Sequence, residues 1–464
     1  MMREPASSIL KAPAAMELAG KRVLILGLGD TGLSVARWVE LQGGVARVAD
    51  SRKAPPRKDD LKGELHAGKF KASLLKEVDL VCLSPGLALK EEIVQFALAK
   101  NIPVVGDVEL FAWAVRKTPA MVLAITGTNG KSTVTALTGH LLRSAGIDCE
   151  VAGNISPPAL DALRGRKKSP QAWVLELSSY QLETTWSLAP DAAAMLNLSE
   201  DHLDRYAGLA EYAAAKARVF MGAGAQVLNR CDSASMALAI AGRTQVTYGL
   251  DAPAMPEDFG IFEGQLARGG EKILAVGELP LAGSHNLSNA LAASALAHLA
   301  GVPLAALAQG LRGFRGLPHR MQRVRLRDGV EWLDDSKGTN VGATVAALYG
   351  LAPALGGLAR RAVLILGGEG KGQNFAPLAP AIRERAKQVL LIGRDAPLIR
   401  KAIEGVGVPV ESCPSLEAAV ARAAQIAAAG DAVLLSPACA SFDMFRDYQH
   451  RGDAFAAAVE RLGK

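Results

Sequence analysis

The chain has 464 residues, half of them hydrophobic and 21% charged, with a formal net charge of +6. That is more chain than one hydrophobic core ordinarily supports, so two or three domains are expected, and the composition excludes a disordered chain. Five scattered cysteines without a C-x-x-C spacing exclude a disulfide framework or zinc ribbon, and a reducing cytoplasm is the expected compartment. Lysine and arginine never form a run, so no nucleic-acid partner is expected. The longest apolar stretch, 287–308, carries Asn289, His298 and Pro303 and reads as a buried helix with its exit, so no membrane partner is expected either.

In chain order, residues 1–18 read as a loose extension without a basic-then-apolar leader pattern. Strands are predicted at 23–26, 46–50, 79–83 and 102–105, with helical stretches between, which is the pattern of a parallel sheet. A second system opens with a strand at 121–125, continues with strands at 172–177 and 192–196, mixes short strands and turns over 222–282, and closes on a helix after Asn286. A third has strands at 330–333, 362–366, 388–392 and 432–435, each ending in polar residues or glycine. The expected fold class is α/β in three domains: a Rossmann-like parallel sheet (1–112), a P-loop ATPase-type mixed sheet (113–316) and a second Rossmann-like sheet (317–464). In open parallel sheets ligands gather at the carboxyl ends of strands, so clefts between the domains are expected to hold them.

The motifs sit at those ends. Gly27-Leu28-Gly29-Asp30-Thr31-Gly32 follows a strand and has Asp50 at dinucleotide-fingerprint distance, but it does not decide which nucleotide binds, nor exclude a turn required by packing. Gly127-Thr128-Asn129-Gly130-Lys131-Ser132-Thr133 is the stronger signal: a loop whose N–H groups face phosphate, with Lys131 for the β/γ oxygens and Ser132 for Mg²⁺. It departs from the common P-loop pattern, which has glycine where Ile125 stands. Glu176 ends its strand beside this loop and suits Mg²⁺, or a cap. His202 follows the next strand among acids, as a metal or catalytic residue or a structural one. Lys216 reads locally as a solvated helix lysine. Asn286 and Asn289 share a helix face and could cap the helix or touch a nucleotide. Asp334–Asn340, Lys371 in its glycine loop, and Ser436–Phe442 could together hold a dicarboxylate, or be ordinary turns.

Taken together, the loop 126–133, Leu175–Ser179, the segments 197–205 and around Lys216, His285–Asn289, Pro318–Arg320, Asp334–Asn340, Gly367–Lys371 and Ser436–Phe442 resemble the muramyl ligases of cell-wall precursor synthesis. Ser436–Ser441, Asp443, Arg451-Gly452 and the lack of an Asp-Asn-Pro-Arg-like tract favour the member whose substrates are UDP-N-acetylmuramoyl-L-alanine and D-glutamate. The resemblance implies that Asp30, Thr31, Asp50, Ser51 and Arg52 hold the uridine diphosphate, and that Asn154 and Ser178 meet the muramoyl group. Asn286, Asn289, Arg320 and Asp335 would join Gly127–Thr133 at ATP. Thr339, Lys371, Ser441 and Phe442 would form the D-glutamate pocket. It further implies that Lys216 carries a carbamate made from CO₂ and joins Ser132, Glu176 and His202 around Mg²⁺, with Lys131, Glu176, His202 and Lys216 as the catalytic set. Ser156 and Tyr180 stand where the resemblance leads one to expect Gly and Phe. A monomer is expected. A sister ligase adding another amino acid, a nucleotide-responsive binding protein and a dehydrogenase using the first glycine motif remain the competing readings.

Overall fold

A computed structural model describes residues 13–202, 205–281, 283–351 and 361–463. Residues 1–12 of the N-terminal extension, and Leu203 and Asp204 of the 197–205 motif, lie outside these.

The first sheet contains β1 (Arg22–Leu26), β2 (Val45–Asp50), β3 (Glu64–Ala67), β4 (Leu80–Leu83) and β5 (Val104–Val105), in the order β3-β2-β1-β4-β5 and parallel throughout. Its central strands are near-continuous apolar runs because helices cover both faces. The glycine turn after β1 leads straight into the helix Asp30–Leu41. A Cβ on Gly32 would run into the carbonyl of Gly27, so only glycine allows helix and strand to pack this closely.

The second sheet contains β6 (Met121–Thr126), β7 (Cys149–Gly153), β8 (Ala172–Glu176), β9 (Ala192–Met195), β10 (Ala225–Asn229), β11 (Gln245–Tyr248), β12 (Phe259–Phe262), β13 (Gln265–Arg268) and β14 (Glu271–Ala275). Their order is β14-β13-β12-β11-β10-β9-β6-β8-β7; β12, β13 and β14 pair antiparallel and the remainder parallel. The third sheet contains β15 (Gln322–Arg327), β16 (Val330–Asp334), β17 (Ala362–Gly367), β18 (Ala386–Ile392), β19 (Val410–Ser412) and β20 (Ala432–Leu435), in the order β15-β16-β20-β17-β18-β19. Only β15 runs antiparallel there, joined to β16 by Asp328-Gly329, both at positive φ as a type I′ turn requires. The strands expected from the sequence are all present; β3, β7, β15 and β19 are additions to that reading. Among the described residues no helix is long and apolar enough to cross a membrane.

The hydrophobic clusters divide unequally among the sheets. One cluster runs from Leu18 to Leu228 and joins the first two sheets, with Phe111 edge-on to Trp173 at 5.1 Å between ring centres. Glu109, buried, seals the same seam by accepting from the backbone N–H groups of Trp186 and Ser187. The third sheet has two clusters of its own, and their members all lie beyond residue 320. The first two units are therefore welded by a shared apolar core, whereas the third has cores of its own. Trp173→Ala should cost about 3–5 kcal/mol and lower a thermal transition shared by the first two units. Phe455→Ala, within the third unit, should lower a separate transition. A calorimetric trace with one transition, shifted alike by both changes, would contradict this division.

Candidate functional site

Register places the site. Ile125 of β6 lies opposite Glu176 of β8, Gly153 of β7 lies opposite the same Glu176, and Thr126 lies opposite Met195 of β9. The carboxyl ends of four parallel strands therefore finish level, and the segments leaving them, Gly127–Gly130, Asn154, Leu177-Ser178 and Asn197–His202, share one edge. The loop 127–130 then enters the helix Lys131–Ser144. Gly130 caps that helix at φ 83°, where a side chain would be strained and would meet Asn289. Asn197 holds the loop in place: its Oδ1 accepts from Asn129 N–H at 2.8 Å and its Nδ2 donates to Asn129 O at 3.1 Å.

Two lysine amines meet at this loop. Lys131 Nζ donates to the carbonyls of Gly127 (2.9 Å) and Thr128 (2.8 Å), and Lys216 Nζ donates to the same Gly127 oxygen at 2.8 Å. Lys216 is only 1% exposed, which corrects its local reading as a solvated helix lysine. In the helix Leu209–Ala217, Tyr212, Ala215 and Lys216 form the inward face, and the amine lies 4.6 Å from the centre of the Tyr212 ring. Burial, reinforced by the charge of Lys131, pushes the Lys216 amine far below its ordinary range; Asp201 and Glu176 oppose this weakly. Lys131 is also lowered, first by burial.

Glu176 is buried, with Oε1 accepting from Asn154 Nδ2 at 2.9 Å and Oε2 finding no protein partner. An ionised oxygen without a donor is costly unless a cation or water meets it. His202 has φ +55°, an uncommon conformation for a non-glycine residue, and its Nδ1 lies 2.7 Å from the Tyr180 hydroxyl. Burial first, then the charges of Lys371, Lys216 and Lys131, lower its pKa and favour the neutral ring that a metal requires; Asp201 works the other way. Ser132 Oγ accepts from Arg320 of the third unit at 2.6 Å. Among the described residues no three His, Cys, Asp or Glu side chains converge as a metal cage. Glu176 and His202 therefore suit Mg²⁺ only with oxygen ligands from elsewhere.

A cleft of about 310 Å³ opens between the phosphate loop and the third unit, lined by Asn129, Asn286, Asn289, Arg320, Asp335 and Lys337 among others. Of the expected nucleotide residues it gathers Asn129, Gly130, Thr133, Asn286, Asn289, Arg320 and Asp335; Gly127, Thr128, Lys131 and Ser132 are not in its lining. Asn286 and Asn289 lie inside the helix Ser284–Leu299, whose cap is Gly283, so they are not caps. Asn340 crosses the cleft to Asn129 Oδ1 and Asp201 Oδ2, both at 3.2 Å. Lys337, within the Asp334–Asn340 motif but given no role of its own, lies 3.8 Å from the centre of the Tyr448 ring, and burial lowers its amine to about 8. Burial likewise raises Asp335 to about 7, against the hydrogen bond it accepts from Ser436.

A larger cavity of about 790 Å³ lies over the first sheet and is lined by Asp30, Thr31, Asp50, Ser51, Arg52, Asn154 and Ser156. Burial opposes ionisation of Asp50, but hydrogen bonds from the Arg52 guanidinium, Leu28 N–H and Arg52 N–H hold it down at about 2. The cations Arg37 and Arg57 also face this cavity and were not singled out by motif. Ser178 does not line it. Its hydroxyl caps the helix Ser179–Glu183 in a capping box with Gln181, and Gln181 reaches the cavity instead. In the third unit Lys371, at φ 51°, lies 6.0 Å from the centre of the exposed Phe442 ring, and Ser441, next to Phe442 in sequence, is buried. Thr339 N–H donates to the carbonyl of Lys337, which keeps it at the cleft edge. Buried Arg451 braces this region through Ser336 and the carbonyl of Cys439.

Comparison with known proteins covers all three units. Residues 21–106 match the Mur ligase MurD-like N-terminal domain, 125–297 the Mur ligase middle domain, and 319–439 the Mur ligase glutamate ligase domain. The chain is 52% identical to the UDP-N-acetylmuramoylalanine–D-glutamate ligase of Thiobacillus denitrificans, over 97% of this chain and 98% of that one. It is 52% identical to the ligase of the same name from Nitrosospira multiformis, over 96% and 97%. Among solved structures it resembles the UDP-N-acetylmuramate-alanine ligase of Thermotoga maritima, with TM-score 0.62 and 19% identity over 95% of this chain and 100% of that chain. It also resembles the UDP-N-acetylmuramoylalanyl-D-glutamyl-2,6-diaminopimelate–D-alanyl-D-alanyl ligase of Acinetobacter baumannii, with TM-score 0.55 and 16% identity over 95% and 93%. At such identities the two structures speak for the fold.

The cleft carries a pH signature. His285 Nδ1 is enclosed without a partner, and burial lowers the ring to about 4 from an ordinary 6.5. The unfolded chain then binds the proton more readily between those values, so stability is intact above pH 6.5 and is lost as pH falls toward 4. The loss should approach about 3 kcal/mol. Asp335, raised to about 7, contributes a slope of opposite sign over much of this window, so the test is a difference: denaturant titrations of the wild type and His285→Gln should give slopes that differ by the His285 contribution, and identical slopes would contradict the assignment.

Proposed function

The chain belongs to the Mur ligase family, and we propose that it joins D-glutamate to the L-alanine carboxylate of UDP-N-acetylmuramoyl-L-alanine, cleaving ATP to ADP and phosphate. The single observation that carries this reading is near-full-length identity of about 50% to ligases bearing that activity in their names. The three units, divided near residues 112 and 316, take the three substrates: the nucleotide-linked acceptor in the first cavity, ATP on the central loop, and D-glutamate at the third unit. Nucleotide-linked substrates and ATP are handled in the cytoplasm, where this reaction belongs.

A free carboxylate reacts poorly with an amine because its oxygen is a poor leaving group. The γ-phosphoryl group therefore passes to a carboxylate oxygen of the L-alanyl group. That O–P bond forms as the bond to the β-phosphate bridging oxygen breaks, and ADP leaves. The D-glutamate amine then attacks the carbonyl carbon and gives up a proton. Phosphate departs with the former carboxylate oxygen. Lys131 and the N–H groups of 127–133 hold the phosphates, Asn286 and Asn289 face the nucleotide, and Arg320 and Asp335 close the cleft from the third unit. Asp30, Thr31, Asp50, Ser51, Arg52 and Asn154 position the acceptor, with Ser178 shaping the wall through Gln181. Thr339, Lys371, Ser441 and Phe442 receive the dicarboxylate.

Mg²⁺, which the family requires, neutralises developing phosphate charge when bound. Ser132, Glu176 and His202 would hold it, and the unpartnered Glu176 oxygen supports this reading. A carbamate on Lys216, formed as the neutral amine adds to CO₂ and releases one proton to solvent, would supply the further oxygen ligand. Burial favours the neutral form of this amine, which is the form that reacts with CO₂. Closing the third unit over the acyl phosphate excludes the water that would hydrolyse it.

Phosphate release should require ATP, UDP-N-acetylmuramoyl-L-alanine and D-glutamate together, with other amino acids inactive. Lys131→Ala should lower it by about 10³-fold; ADP formation at the wild-type rate in that variant would refute the assignment of the loop. Activity should fall in CO₂-free buffer and return with bicarbonate, and Lys216→Arg should lose that response together with activity. A wild-type rate independent of dissolved CO₂ would remove the carbamate.

A further inference from the structure

Tyr180 occupies an unusual place for a hydroxyl. It is the first residue after Ser179 in the short helix Ser179–Glu183, whose start is fixed by the Ser178–Gln181 capping box. Its ring lies 4.8 Å from the His202 ring and 6.1 Å from that of Tyr206. The Arg205 guanidinium lies 4.5 Å from its centre, and Arg205 is itself held by Glu183 at 2.6 Å. The hydroxyl is thereby aimed at His202 Nδ1, 2.7 Å away. The His202 backbone is equally fixed: its N–H donates to Asp201 Oδ1 at 2.9 Å, and its carbonyl accepts from the N–H groups of Arg205 and Tyr206. The other ring nitrogen has Asp201 Oδ2 at 3.8 Å, beyond hydrogen-bond reach, and that oxygen already receives Asn340.

We infer that Tyr180 is a positioning residue for the ligase reaction: its hydroxyl oxygen accepts the His202 Nδ1 proton, fixes that tautomer, and leaves the Nε2 lone pair facing the divalent cation. A neutral imidazole has one donor and one acceptor nitrogen, so fixing one side decides the other. A histidine that binds metal characteristically donates its second N–H to a fixed acceptor, which sets ring orientation and ligand basicity. Within this site the phenol oxygen is the acceptor at Nδ1. The inference rests on the reading of His202 as a metal ligand, given above.

Tyr180→Phe keeps the ring packing and removes only the oxygen. With ¹⁵N-labelled histidine, the wild-type His202 ring should show Nδ1 protonated before any metal is added, with His202→Gln identifying the signal. In Tyr180→Phe the ring should become a mixture or shift to protonated Nε2. Mn²⁺ affinity, read by paramagnetic resonance with ATP present, should fall by about 10–100-fold. The KM for Mg²⁺ should rise while kcat at saturating Mg²⁺ changes little. If Tyr180→Phe binds Mn²⁺ as the wild type does and the tautomer is unchanged, the inference is overturned. If His202→Gln itself binds Mn²⁺ normally, it is the reading of His202 as a ligand that fails.

Discussion

Two buried amines, Lys131 and Lys216, end on one carbonyl oxygen, that of Gly127. Like charges this close and this deep cannot both be carried comfortably. The neighbourhood makes the strain worse, because Lys337 also borders the cleft and Arg320 touches Ser132. Glu176 and Asp201 offset only part of this charge. Such a cluster has two chemical resolutions: deprotonating one amine, or bringing negative charge into the cleft. The ligase reading uses both. In the proposal above, Lys216 in its neutral form would take up CO₂ and become an anion, and the phosphates of ATP with their metal would bring further negative charge to the loop.

Everything around that pair serves to place it. Parallel strands β6, β7, β8 and β9 finish level, so the phosphate loop, Asn154, Glu176 and Asn197 arise within one short edge. Apolar packing through Phe111 and Trp173 welds the first unit to the second, which fixes the cavity proposed for the acceptor relative to the loop. The third unit has cores of its own and reaches across by the polar contacts of Arg320 and Asn340. Rigid placement of the acceptor and a separable lid for the amine suit a reaction whose intermediate must be shielded from water.

Much of this was legible in the residues. Apolar runs such as Val23–Leu26 and Leu123–Ile125 announce buried parallel strands, and glycine turns after them announce phosphate. The antiparallel strand β15 escaped because the run Gln322–Arg327 is rich in arginine, although Asp328-Gly329 is a strong hairpin signal. β3, β7 and β19 are short or partly exposed strands without a clear period. Lys216 was the hardest residue to read locally. A lysine between alanines looks solvated, and only the inward spacing of Tyr212, Ala215 and Lys216 hints at burial. The family resemblance, rather than periodicity, gave its role. Arg37 and Arg57 carry no motif; their places depend on how distant segments fold together.

The central claim is that the loop and the clefts around it assemble an acyl phosphate. The most direct measurement is isotope transfer with UDP-N-acetylmuramoyl-L-alanine labelled with ¹⁸O in its L-alanyl carboxylate. After one turnover with ATP and D-glutamate, the released phosphate should carry one ¹⁸O atom for each amide bond formed. Phosphate without the label, beside normal amide product, would contradict the mechanism.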